Sequence, residues 1–202
     1  MYLLITGTAS GYNEPVLAIK GTEVISRQEF LEKHYGAGTY EAVLKELPVN
    51  DREILSPPIL GIQLYPAGSV TSLNHAICRI FGEGRESFFR TLGAFSAEQF
   101  GEAFFRVNRN KPALFMKNVV EMFRHFYAGG WMEAEFLAEN RAVISISLEE
   151  PDRCHCLTGE GFYKRCMERC GLRRVQVSQE ECQVTGAGAC RLEFSWEIPG
   201  AQ

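Results

Sequence analysis

Long apolar runs are missing from this 202-residue chain. No stretch approaches the roughly 18 consecutive apolar residues of a membrane span, and the N-terminus has neither the basic flank nor the small-residue cleavage site of a secretion signal. The expected compartment is therefore the cytoplasm. An excess of positive charge is missing as well: 21 Lys and Arg against 25 Asp and Glu give a net charge of -4. Without a basic stripe there is no phosphate-tracking surface, which argues against nucleic-acid binding. The chemistry of catalysis is thin. Gly7-Thr8-Ala9-Ser10-Gly11 is glycine-rich, but no Lys-Ser or Lys-Thr follows, so it fails as a phosphate loop. None of His34, His75, His125 and His155 has the HExxH spacing of a hydrolytic zinc helix. The expectation is a protein that is not an enzyme.

What the chain does have is apolar patterning, 46% of its residues, enough for one globular domain or one domain with a small appendage. Residues 1–19 read as an extension or a hairpin, with Tyr2 to Ile5 and Val16 to Ile19 as short strands; residues 20–202 read as the domain. Ser26 is placed to cap a helix carrying Phe30 and Leu31, with Glu29 completing a capping box and Gly36 stopping it. Thr39 opens a second helix that Pro48 ends. Three apolar stripes at helical spacing follow. The first runs Val70, Leu73, Ile77, Ile80 and the second Phe88, Leu92, Phe95. The third, Phe115, Val119, Met122, Phe126, comes after Pro112 at a helix start. Trp131 to Ala138 and Ala142 to Leu148 form a hairpin around Asn140-Arg141. Arg174 to Cys182 and Cys190 to Trp196 alternate around Thr185-Gly186-Ala187-Gly188 and form another. The fold class is α+β, a helical layer on a four-stranded antiparallel sheet built from two hairpins.

Cysteine is plentiful, seven in all, and three of them gather at the second hairpin. With the turn centred on Gly186, Cys182 and Cys190 face each other, and Cys156 approaches from a loop ahead of the last helix. Two facing thiols suit a disulfide or two ligands of one metal, and a third thiol nearly completes a tetrahedral zinc site. A reducing cytoplasm weakens the disulfide and leaves buried thiols or metal. Cys166 and Cys170 share one helix face and are expected to pack.

Cys156, the helix ending at Cys170-Gly171, the approach to Cys182, then Gly186 and Cys190-Arg191-Leu192-Glu193-Phe194 resemble the C-terminal half of 4-vinyl-reductase-type ligand-binding domains. That superfamily also holds haem-nitric-oxide sensors and TRAPP vesicle-tethering subunits. Lys20-Gly21-Thr22, Phe30 to Gly36, Leu44 to Pro48 and Leu64-Tyr65-Pro66 are similar to a bacterial domain-of-unknown-function family expanded in myxobacteria. The resemblance covers nearly the whole chain from Lys20 onward. In the zinc-binding aromatic sensors of this group the metal has three cysteines and a glutamate; the glutamate position is Gln179 here, so Cys154 or His155 would have to supply the fourth ligand. The haem-sensing relatives use a Tyr-Ser-Arg triad, and no Tyr-x-Ser-x-Arg occurs in this chain, which argues against haem.

Aromatic stripes are ordinarily core. Their functional reading is a pocket between helices and sheet for a small apolar or aromatic ligand or an acyl chain, lined by Phe115, Phe123, Phe126, Tyr127 and Trp131, with zinc at Cys156, Cys182 and Cys190. The resemblance implies a sensory or regulatory binding module acting as a homodimer. The alternative it implies is a TRAPP-like protein scaffold that pairs with itself or with a small GTPase system.

Overall fold

The computed structural model describes residues 17–197. The expected strand at Tyr2 to Ile5 lies outside them. Strand β1 (Ala18–Lys20) leads directly into helix α1 (Gly21–Tyr35), followed by the short helices α2 (Thr39–Leu44) and α3 (Val49–Ile54). Strand β2 (Leu64–Pro66) precedes α4 (Ala67–Phe81), α5 (Ser87–Glu98), α6 (Glu102–Asn108) and α7 (Pro112–Phe126). Then come β3 (Tyr127–Ala128), β4 (Trp131–Ala138), β5 (Arg141–Ser147), α8 (Arg153–Arg169), β6 (Arg173–Glu181) and β7 (Cys190–Glu197). None of the described helices is long and apolar enough to cross a membrane.

Both expected hairpins form, and they join into one antiparallel sheet in the order β4-β5-β7-β6. Alternation drives the burial: Cys190, Leu192, Phe194 and Trp196 of β7 all point inward, as does Ile144 of β5. The fold is α+β as the patterning implied. A second, smaller sheet, β2-β1-β3, pairs Ile19 with both Tyr65 and Tyr127. Its strands are two or three residues long, too short to carry a period of their own. Leu17 and Ile19 are buried in the main core, so a boundary after residue 19 cuts through β1.

Two helix starts differ from the expected ones. Helix α1 begins at Gly21, not at Ser26; Ser26 is buried inside the helix, with its hydroxyl 2.9 Å from that of Ser96. A carbonyl wall explains Gly21, since a Cβ there would lie 2.3 Å from the Leu60 carbonyl oxygen. Helix α8 begins at Arg153, with Asp152 as its cap, so Cys154, His155 and Cys156 occupy its first turn and not a loop. Because successive helical residues point about 100° apart, those three side chains leave in three different directions.

Helices α5 and α8 approach at backbone distance. A Cβ on Gly93 would fall 1.9 Å from the Thr158 carbonyl oxygen, and one on Gly161 would fall 2.0 Å from that of Arg90. Only glycine permits such contact. The crossing is also clamped at its side by Arg90 Nε, which donates to the buried carboxylate of Glu160 at 2.5 Å.

Candidate functional site

The space left between α7, α8 and the first helices is a cavity of about 80 Å³. Its apolar wall is aromatic: Phe123 and Phe126 from α7, Phe162 from α8, and Phe100 from the turn between α5 and α6. Phe100 sits 5.9 Å from Phe126 and 5.4 Å from Phe162, ring centre to ring centre. Its polar lining is Glu23, Asn74, Ser96, His155 and Thr158, the first three tied together through Arg27. Tyr127, stacked on Phe123 at 4.6 Å, lies beside them. Burial pushes its hydroxyl up, so it stays protonated and able to donate.

The residues expected to line a pocket divide in two. Phe123, Phe126 and Tyr127 are on the cavity wall. Phe115 is 0% exposed and interlocks with Phe104 in the core, because it lies on the part of α7 that turns away. Trp131 begins β4, is 45% exposed, and borders a separate surface recess with Arg124 and Glu133. His75 and His125 stay outside: His75 Nε2 meets Asp152 Oδ1 at 3.0 Å on the surface, and His125 is exposed.

His155 is the histidine that enters. Its Nε2 lies 2.9 Å from Thr71 Oγ1, while its Nδ1 is buried without a partner. Burial holds its pKa below the usual histidine range, so the ring is neutral near pH 7. Thr158, one turn on, has a buried hydroxyl that is also without a partner. Buried polar atoms are nearly always satisfied, so two orphans on residues lining one cavity point to something that belongs there. The signal was present in the sequence as His155, Thr158, Gly159, Phe162 and Tyr163, a face repeating at +3, +4, +7 and +8. It was hidden because His155 reads first as the middle of a Cys-His-Cys cluster.

The three thiols do converge. Cys156 Sγ lies 3.8 Å from Cys182 Sγ and 3.2 Å from Cys190 Sγ, all three are buried, and all seven cysteines of the chain are free. The Cys156 thiol donates toward Cys190, against the opposing effect of burial, and Gln183 N–H donates to the same sulfur at 3.3 Å. Together these pull Cys190 below the ordinary thiol range. Neither residue expected to complete the cluster does so: Cys154 faces the core and His155 the cavity. Gln179 instead borders it. Arg153 Nη1 donates to Gln179 Oε1 and lies 4.0 Å from Cys182 Sγ, while Gln179 Nε2 is buried without a partner.

No protein-family model matches the chain, and no curated protein matches it. Solved structures do share its fold. A point mutant of the H-NOX protein of T. tengcongensis superposes with a TM-score of 0.67 at 14% identity, covering 90% of this chain and 100% of that one. A mutant H-NOX protein of S. oneidensis in its Fe(II) state gives 0.66 at 15% identity, with 89% and 97% covered. A mutant of the K. algicida H-NOX protein, Fe(II) and unliganded, gives 0.59 at 12% identity, with 90% and 98% covered. These likenesses correct the argument against haem from a missing Tyr-x-Ser-x-Arg, because other proteins of this architecture are studied in Fe(II), Fe(II)NO and Fe(II)CO states and for heme distortion. They lend no support to zinc. Over about nine-tenths of its length the chain has the fold of H-NOX proteins.

Proposed function

We propose that this protein is a non-enzymatic sensory module that encloses a small ligand, apolar or aromatic over most of its surface, between α7 and α8. One observation carries the reading: a cavity walled by Phe and Tyr rings in which His155 Nδ1 and Thr158 Oγ1 are buried without partners. The fold is consistent with it, since neighbours of this architecture bind NO or CO in Fe(II) states. A TRAPP-like scaffold would have no use for the opening, and the aromatic layer of a pure scaffold would close on itself. At about 80 Å³ the space is well below the ~150 Å³ of an engineered cavity that takes benzene. An acyl chain therefore requires the phenylalanine side chains to swing aside, whereas a molecule of a few heavy atoms does not.

Haem, carried over from the fold neighbours, would find one nitrogen donor in this wall, His155 Nδ1, in an apolar surround that suits an axial bond. It would find no Lys or Arg among the described lining residues for its carboxylates: Lys20 lies 5.9 Å from the Phe126 ring centre, and the buried Arg27 is committed to Glu23, Asn74 and Ser96. Enclosing a macrocycle would also displace Phe100, Phe123 and Phe126.

The three thiols are proposed as a separate site for a thiophilic metal ion that pins the second hairpin to the first turn of α8. A tetrahedral ion about 2.3 Å from each thiolate sets sulfur separations near 3.8 Å, which is the Cys156–Cys182 distance, whereas Cys156 and Cys190, at 3.2 Å, would have to part to admit it. Native mass spectrometry of the purified protein, with an absorption spectrum, tests both proposals. Retention or uptake of a small molecule or of haem supports the cavity, and a bound metal lost on Cys182→Ser with a fall in Tm supports the thiols. A protein that keeps and takes up nothing overturns the first; a metal content unchanged in Cys182→Ser overturns the second. The same spectrum reads the assembly mass and so tests the expected homodimer.

A further inference from the structure

The polar lining of the cavity has a particular balance of charge. Arg27 is 0% exposed, and its guanidinium holds three wall residues at once. Nε donates to Asn74 Oδ1 at 2.7 Å, Nη1 donates to Ser96 Oγ at 2.6 Å, and Nη2 pairs with Glu23 Oε1. The pair of Glu23 and Arg27 is neutral as a whole, and the arginine's charge faces its own partners instead of the open space. Glu23, its side chain 22% exposed, also lines the cavity, and its Oε2, the oxygen not taken by Arg27, makes no hydrogen bond among the described residues and can only accept. The wall also offers the two partnerless atoms, His155 Nδ1 and Thr158 Oγ1.

Such a wall discriminates by charge. A carboxylate would be set against Glu23 with no free cation among the described lining residues to receive it. An ammonium would bring an unbalanced positive charge into an aromatic enclosure where Glu23 is already matched by Arg27, and burying a net charge is costly. A hydroxyl avoids both penalties: it donates to Glu23 Oε2 and accepts from the Thr158 hydroxyl or the His155 ring. The close contact of α5 and α8 through Gly93 fixes the backbone that carries the Thr158 hydroxyl.

We propose that the cavity selects a neutral, hydroxyl-bearing molecule of a few heavy atoms and rejects the matching carboxylate, with Glu23, positioned by Arg27, as the selecting group. This rests on the ligand-binding reading above. The test is an NMR-followed titration of the full chain with four small probes that differ in the head group: propane, 1-propanol, propanoate and propylammonium. 1-Propanol is expected to bind about tenfold tighter than either propane or the two ions. Thr158→Val, which exchanges a hydroxyl for a methyl of the same shape, is expected to remove most of the alcohol's advantage while leaving propane unchanged. Glu23→Gln leaves the Arg27 charge uncompensated and is expected to turn the preference toward propanoate. Should that variant fail to fold, Thr158→Val decides alone. Propanoate or propylammonium binding the unaltered protein as tightly as the alcohol overturns the proposal, as does an alcohol-to-propane ratio unmoved by Thr158→Val. If propane binds and the alcohol binds no better, head-group selection falls and the cavity reading stands; if no probe binds, both fall.

Discussion

Asp152 is a single side chain on which the start of α8, and hence the placing of both candidate sites, depends. Its Oδ1 accepts the Cys154 N–H at 2.7 Å and meets His75 Nε2 at 3.0 Å. Burial alone would raise this carboxyl, but the cap and the neighbouring imidazole outweigh it and hold the pKa below its ordinary 3.8. A carboxylate depressed on folding stabilises the folded state above its unfolded pKa, and that contribution is lost as pH falls through the folded value. Asp152→Ala should therefore cost about 1 kcal/mol near pH 7. The gap between variant and parent should close below about pH 4, as read by urea melts at several pH values. Gln179 has the opposite character, a neutral amide beside the thiol cluster with its Nε2 buried and unpartnered. Replacing it with a carboxylate should strengthen a thiolate-bound ion while keeping an acceptor for Arg153. On the proposed metal site, Gln179→Glu is expected to slow removal of a bound ion by a chelator about tenfold, and an unchanged rate would show that Gln179 does not face that ion.

Among the elements, α8 decides most. Its contact with α5 depends on two glycines, and a methyl group at Gly161 would fall 2.0 Å from a backbone carbonyl that has no rotamer to change. Gly161→Ala should separate the helices at a cost of about 3 kcal/mol or more, measured as a lower midpoint of chemical unfolding. The sequence made parts of this architecture legible. Period-two runs gave both hairpins, and Val70, Leu73 and Ile77 gave the buried side of α4 correctly, though Ile80 at its end is 42% exposed. Three features were hidden, each for a physical reason. The small sheet has strands too short for periodicity. Arg27 reads as a surface cation until its three partners, 4 to 69 residues away, close around it. The start of α8 is marked by Asp152, a good N-cap, but its neighbours Glu149, Glu150 and Arg153 make the segment look like a solvated loop. Reading the helix from Arg153 instead would have sent Cys156 toward the hairpin and His155 toward the rings.

At the level of the whole molecule, a protein interior normally packs without voids, so an aromatic cavity represents stability forgone. Gly159 shows the same concession in the backbone. Unlike Gly161 two residues later, it has room for a side chain: a Cβ there would meet Tyr163 at 3.4 Å and Leu192 at 3.9 Å, ordinary contact distances. Alanine is better than glycine inside a helix by about 1 kcal/mol. Packing therefore does not account for glycine in the middle of α8, whereas a need for open space does, since Gly159 is part of the cavity wall. Gly159→Ala should raise the unfolding free energy by about 1 kcal/mol and at the same time weaken whatever the cavity holds, the usual opposition between a stable wall and a working site. Thermal melts paired with the probe titration measure both quantities on one sample. Stabilisation together with unchanged binding would mean that the void is idle, and that the orphaned atoms of His155 and Thr158 face nothing but trapped water.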